Sequence, residues 1–299
     1  AIHPSSSRMR EFLFDEEGGR DYRFRGPRIR EDDGKKFLEQ LYPTIGKTTM
    51  TESLVTYESK DRIALITINR PEKMNALSNA LVADLRDAFI RFRDSEDRCA
   101  VLTSSGDKAF SVGADIKDPP VDPDLWECMP GVGVVTDKPV IAAVAGYCVG
   151  GAYCLVQFCD VAVAADNTDF FYPEAQLGFC GGLVASVAAR IPHKIAMEFM
   201  LTGKHFDAQR AYEVGMVNKV VPVGQQVEAA MDYARILADS SPMVVGMLKR
   251  FVRDTVTAKG PSEQHALARG ELLGIRRSED QQEGGAAFRE KRKPVFKER

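Results

Sequence analysis

The sequence predicts an α/β fold closed by a helical C-terminal layer, and three observations predict it. Strand-like and helix-like stretches alternate through the first two thirds of the 299 residues. Two short runs, 140–145 and 161–165, are apolar throughout, as strands buried on both faces are. Beyond residue 240, apolar residues recur at helical spacing among mixed charges. Strands interleaved with helices and then helices alone make a layered α/β core with a helical addition.

The chain divides into a polar extension over 1–50, a core over 51–240 and a helical region over 241–299. In the extension Arg8, Arg10, Arg20, Arg23, Arg25, Arg28 and Arg30 alternate with acids, Ser and Gly. Only Phe37, Leu38 and Leu41 resemble a helical face there, which suits a surface segment better than a core. The core opens with strands at 54–57 and 63–69 around a polar turn at Lys60-Asp61. Pro71 and Asn75 interrupt the pattern. Ser78 then stands where it can cap a helix whose Leu81, Leu85, Ala88, Phe89 and Phe92 share one face. A strand at 100–103 follows, and 109–112 leads into Gly113 and a Pro-rich loop over 119–130. The strand 140–145 ends at Gly146, a helix is expected over 150–158, and the strand 161–165 comes next. Helices at 183–190, 194–201 and 208–213, a strand at 217–221 and a helix at 227–239 complete the core. Three further helical stretches occupy about 242–288.

Composition narrows the function classes. Hydrophobic residues make up 44% and charged residues 28%, as in a globular protein with a sizeable core. A net charge of −3 gives no electrostatic grip on nucleic acid or an anionic membrane. No apolar stretch approaches the ~18 residues that span a bilayer. The N-terminal stretch has no signal-peptide core and carries Glu11, Asp15, Glu16 and Glu17, so the expected compartment is the cytoplasm. Cys99, Cys128, Cys148, Cys154, Cys159 and Cys180 form no Cys-x-x-Cys pair and have no histidine at zinc-finger spacing. They are expected as reduced thiols, with no metal site.

Two glycine-centred strand exits and one carboxylate carry the chemistry. The first exit is Gly113-Ala114-Asp115-Ile116-Lys117, and the second runs from Gly146 through Gly150-Gly151 into a helix. Unpaired N–H groups at a helix start favour negative charge, and glycine lets a ligand approach the backbone closely. One amide from each exit could meet at a developing oxyanion. Taken singly, a glycine after a strand more often marks a turn. Neither Gly-x-Gly-x-x-Gly nor a Lys-Ser/Thr after glycines occurs, so dinucleotide and P-loop readings fail. Glu174 follows Pro173 among Phe170, Phe171, Tyr172 and Leu177, neighbours that would desolvate a carboxylate and raise its pKa toward neutrality.

In combination these segments are far more specific. Asn75-Ala76-Leu77, Gly113 to Lys117, Gly146 to Gly151, Pro173-Glu174 with Leu177-Gly178, Leu201-Thr202-Gly203 and Gly215-Met216-Val217 occur in order. Phe288 and Lys291-Arg292-Lys293-Pro294 close the series. The chain resembles the enoyl-CoA hydratase/isomerase (crotonase) superfamily over residues 52–299. The resemblance implies a spiral of ββα units, a helical C-terminal trimerisation layer, and a homotrimer or dimer of trimers. It implies an acyl-CoA substrate, with coenzyme A as part of that substrate and no other cofactor. The N–H groups of Ala114 and Gly151 would hold the thioester oxygen, and Glu174 would act as acid/base. Ala114, Asp115, Ile116 and Lys117 would line the acyl-CoA approach, the segment with Met74, Ala76 and Leu77 would face the adenine, and Gly150 and Cys154 would line the substrate pocket. Lys117, Lys291, Arg292 and Lys293 would be candidate phosphate contacts.

One position departs from the pattern. Hydratases of the family generally carry a second glutamate three residues beyond the second oxyanion-hole glycine, and here that residue is Cys154. A thiol with an unperturbed pKa of ~8.5, raised further by apolar burial, is a poor substitute for a carboxylate, so Cys154 reads as pocket lining. Tyr147, Tyr153 and Tyr172 could supply another polar group, or simply pack as aromatics. Two alternatives stand beside an enolate-forming hydratase or isomerase. A thioester or C–C hydrolase would use the same oxyanion hole, but only four histidines are available and no Gly-x-Ser-x-Gly elbow occurs. A coenzyme A-binding homologue without activity is the other, with Cys154 as the one feature in its favour.

Overall fold

The computed structural model describes residues 53–179 and 181–297; the polar stretch 1–50 and Cys180 lie outside the described residues. The strands are β1 (Val55–Lys60), β2 (Ile63–Ile68), β3 (Cys99–Ser104), β4 (Ala109–Ser111) and β5 (Val140–Val144). They continue with β6 (Tyr147–Val149), β7 (Val161–Ala165), β8 (Asp169–Phe171), β9 (Phe206–Asp207) and β10 (Lys219–Val221). β1 and β2 form an antiparallel hairpin closed by Asp61 and Arg62, with φ of 53° and 62°. Two left-handed residues in a two-residue loop match the right-handed twist of the strands they join.

Two sheets result. The larger runs β1-β2-β3-β5-β7-β10, parallel from β2 onward, and the smaller runs β4-β6-β8-β9. From β3 to β8 the chain therefore delivers one strand to the large sheet, the next to the small sheet, and then a helical segment. Leu125–Cys128 forms a 3-10 turn in the loop after β4. Helix α1 (Asn79–Asp94) follows β2, α2 (Gly151–Gln157) follows β6, and α3 (Glu174–Leu177) follows β8. This repeat is the ββα spiral that the family resemblance implies.

Side-chain alternation sorts the core into two layers. On one face of the large sheet Ala100, Leu102, Ala142, Val144 and Ala164 pack with Leu81, Leu85, Phe89 and Phe92 of α1. Ser78 starts that helix by accepting from Leu81 N at 3.3 Å. The other face, Cys99, Val101, Ile141, Ala143 and Val163, meets Ala229, Ala230, Ala234 and Ala238 of a later helix, Gln226–Asp239. In chain order the helices after α3 are α4 (His193–Thr202), α5 (Ala208–Glu213) and α6 (Gln226–Asp239). The C-terminal set is α7 (Pro242–Phe251), α8 (Pro261–Arg277) and α9 (Glu279–Glu290). A π-helical turn, Val252–Val256, extends α7.

Several local expectations are corrected. Residues 147–149, expected in the tight turn after the strand 140–145, form β6, and 169–171, for which the sequence predicts no element, form β8. The stretch 183–190 is a 3-10 helix, Leu183–Ala189, rather than an α-helix. Strands of three residues are held by partners remote in sequence, so their own periodicity is too short to reveal them. Among the described residues no helix is long and apolar enough to cross a membrane.

Candidate active site

The two glycine exits meet backbone to backbone. Leu77 N–H donates to Gly113 O at 2.8 Å, and Asp115 N–H donates to Leu77 O at 2.9 Å. Such a parallel bridge uses the peptide groups on either side of Ala114 and turns the N–H of Ala114 itself to the opposite edge. The second exit stands against Gly113: a Cβ there would lie 2.8 Å from Val149 O and 3.5 Å from Gly151 N. With φ at +84°, Gly113 also adopts a conformation that side chains disfavour. Gly151 is the first residue of α2, so its N–H has no partner within the helix. Among the described residues neither amide donates to a protein acceptor. Ala114 is exposed and Gly151 half-buried, so the pair is open to a ligand oxygen.

Glu174 completes this surface. Gly150 N–H donates to Phe171 O at 3.1 Å, which ties the end of β8 to the start of α2. Three residues later the Glu174 carboxyl fills the space that a side chain on Gly150 would need, with Oε1 against the Cα. Its Oε2 is buried without a hydrogen-bond partner. Burial accordingly pushes the Glu174 carboxyl up to about 7, partly opposed by its own backbone N–H. Cys154 lies one turn into α2 and is 4% exposed. Burial, and secondarily the Glu174 carboxylate, push its thiol well above the ordinary range, so it stays protonated. Leu125 covers the same turn, with Cδ2 2.6 Å from where a Gly151 Cβ would stand.

A half-buried clamp that the sequence did not reveal joins the two approach segments. Arg70 Nη1 donates to Ala76 O at 2.9 Å and to Asp115 Oδ2 at 2.7 Å. Asp115 Oδ1 accepts from Lys117 N at 2.9 Å. The Arg70 hydrogen bond, followed by that amide, holds the Asp115 carboxyl below the usual carboxylate range. Asn75 Oδ1 accepts from Arg70 N, while its amide donates to Ala109 O at 2.9 Å. These bonds hold Met74 and Asn75 in left-handed conformations, φ 52° and 55°. An arginine after a strand reads as a solvated charge; only the folded chain brings Asp115 to it.

The other sequence candidates divide. Ile116, 80% exposed, and Lys117 project from the first exit, and Met74 is half-buried. The Leu77 and Ala76 side chains are buried, and Leu77 contributes through its backbone bridge rather than by lining the groove. Asp115 likewise faces Arg70 rather than the open approach. Arg292, a candidate phosphate contact, is instead held by Glu283 and Glu290. Tyr153 packs against Phe170 and Phe199, and burial drives its phenol far up, so it adds no acid or base. A cavity of about 550 Å³ touches Tyr153, Gln157, Arg190 and Lys249 but not Ala114, Gly151 or Glu174. Among the described residues no group of three or more His, Cys, Asp and Glu is arranged for a metal ion. Chemically, the arrangement offers an N–H without a protein acceptor at each strand exit and one carboxyl poised to exchange protons near neutrality.

Known proteins match most of this chain. The model of the enoyl-CoA hydratase/isomerase family matches residues 58–299. The chain is 34% identical to (E)-benzylidenesuccinyl-CoA hydratase of Thauera aromatica, over 81% of this chain and 98% of that protein. It is 36% identical to carnitinyl-CoA dehydratase of Citrobacter koseri, over 84% of this chain and all of that one. The crystal structure of carnitinyl-CoA hydratase from Mycobacterium avium superposes with a TM-score of 0.64 at 33% identity, covering 83% of this chain and 100% of that chain.

Proposed function

The chain belongs to the enoyl-CoA hydratase/isomerase family, and on that premise we propose that it reversibly hydrates a 2-enoyl-CoA thioester with Glu174 as its single acid/base. The observation that carries this reading is the Glu174 carboxyl packed on Gly150, beside two outward-facing amides. The relatives named as hydratases and dehydratases of CoA thioesters support the reaction class.

In this mechanism the thioester oxygen accepts from Ala114 N–H and Gly151 N–H. Withdrawal of charge toward that oxygen makes C3 electrophilic. The Glu174 carboxylate takes a proton from water as the water oxygen bonds to C3, giving an enolate held by the two amides. The same carboxyl then delivers the proton to C2, and the carbonyl re-forms. Water is consumed, and the carboxylate is regenerated. Cys154 stays a neutral thiol and shapes the pocket. Arg70 fixes the 74–77 and 113–117 segments against each other, so the groove for the CoA moiety is held as one unit. Coenzyme A enters as part of the substrate, and no further cofactor takes part.

A homotrimer, or a pair of trimers, fits the C-terminal helices: α7 buries no residue, and Met243 and Phe288 are 84% and 86% exposed. Light scattering checks that assembly. The activity is tested with panels of 2-enoyl- and 3-enoyl-CoA esters. Hydration that is lost in Glu174→Gln supports the assignment. Migration of the double bond without hydration makes the enzyme an isomerase, and unchanged hydration in Glu174→Gln removes the role given to that residue.

A further inference from the structure

Leu125 packs on the Cβ side of Gly151, the residue whose amide is assigned to the thioester oxygen, and its neighbours on both sides are fastened elsewhere. Its Cδ2 is 2.6 Å from the position of a Gly151 Cβ. The loop that carries it is pinned from below by Asn79, whose Oδ1 accepts from Val121 N at 2.8 Å and whose amide donates to Pro119 O at 2.9 Å. Glu127, two residues after Leu125, has a side chain only 8% exposed. Its Oε1 accepts from Asp124 N at 3.2 Å, closing a capping box around Leu125. Its Oε2 lies 3.4 Å from Arg86 Nη1 of α1 and 3.2 Å from Arg277 Nη2 of α8. Between Leu125 and Glu127, buried Trp126 faces Gly270 of α8, its Cζ3 3.7 Å from where a Cβ on that glycine would stand.

We propose that Leu125 sets the width of acyl group the site accepts, and that Glu127, clasped by Arg86 and Arg277, is the positioning residue that holds it there. This rests on the oxyanion-hole reading above. An oxygen about 3 Å from Gly151 N brings the carbonyl carbon and its C2 and C3 substituents alongside Leu125. The leucine methyls and a bulky C3 group then compete for one space. A carboxylate taken from water holds its place only while its charge is matched, so losing one guanidinium loosens the turn. The width of the acyl site is thereby tied to helix α8 through one ion-paired side chain.

The test compares kcat/KM for cinnamoyl-CoA and crotonyl-CoA in the parent protein and in Leu125→Ala, Glu127→Gln, Arg277→Met and Arg277→Lys. Removing the isobutyl group should raise the cinnamoyl-to-crotonyl ratio about tenfold or more, the scale at which pockets discriminate a few methylenes. Glu127→Gln and Arg277→Met should move the ratio the same way by a few-fold, and Arg277→Lys should return it toward the parent value. A ratio within twofold of the parent in folded Leu125→Ala overturns the proposal, whatever the clasp variants do. If the parent protein turns over neither ester, it is the functional reading that fails. The ratio of dissociation constants for 3-phenylpropionyl-CoA and butyryl-CoA, read by calorimetry with the same thresholds, then decides the role of Leu125.

Discussion

The two sides of the candidate site are made of different material. One side is main chain: the amides of Ala114 and Gly151, each at the exit of a strand, brought together because β4 and β6 are neighbours in the small sheet. The other side is one side chain, Glu174, whose ionisation is governed by how little water reaches it. The main-chain side carries no titratable group and depends on sheet register. The carboxyl side depends on the identity and environment of a single residue. Such a site keeps its grip on a thioester across pH while its chemistry switches with one proton, so changes to the two sides should have separable signatures.

The largest effect should come from the carboxyl side. Glu174→Gln keeps the shape and removes the base, and kcat should fall about 10²–10⁴-fold, with acyl-CoA affinity by calorimetry little altered. The main-chain side should give the next largest. In Gly113→Ala the new methyl meets Val149 O and forces the exits apart, and kcat should drop about 10²-fold with no change in the pH profile. If the two variants cannot be told apart by affinity and pH profile, the division between the sides is wrong.

Acidity gives the third test. The reacting form is the carboxylate, so kcat/KM should be level above about pH 7, where Glu174 is deprotonated. Below that it should fall tenfold per pH unit as the carboxyl takes up its proton. A stopped-assay profile on the free enzyme checks both the sign and the midpoint. The smallest effect should follow Arg70→Met, which removes the side-chain tie between the 74–77 segment and Asp115 and leaves the Leu77 backbone bridge beside Ala114 in place. KM for the CoA ester should rise several-fold with kcat nearly unchanged, the pattern of lost uniform binding.

Much of this division was legible in the sequence, and the reasons are specific. Val140–Val144 and Val161–Ala165 announced themselves because strands buried on both faces are apolar without interruption. Ser78, the α1 stripe and the order of the glycine segments were equally plain, because caps, helical spacing and tight turns leave local marks. Glu174 could be singled out from its apolar neighbours. What local pattern could not reveal was contact between segments distant along the chain. The three-residue strands β6 and β8 exist through their partners, and the Arg70–Asp115 and Glu127–Arg277 pairs span 45 and 150 residues. The segments that carry Leu77 and Asp115 can be read from the sequence, but which way each side chain turns depends on the bridge at Ala114 and on Arg70.

The most direct measurement is a crystal structure with an unreactive acyl-CoA bound. The account predicts the thioester oxygen about 3 Å from both the Ala114 and Gly151 nitrogens, with Glu174 facing C2 and C3. An oxygen that touches neither amide, or an acyl chain that runs away from Glu174, would contradict it.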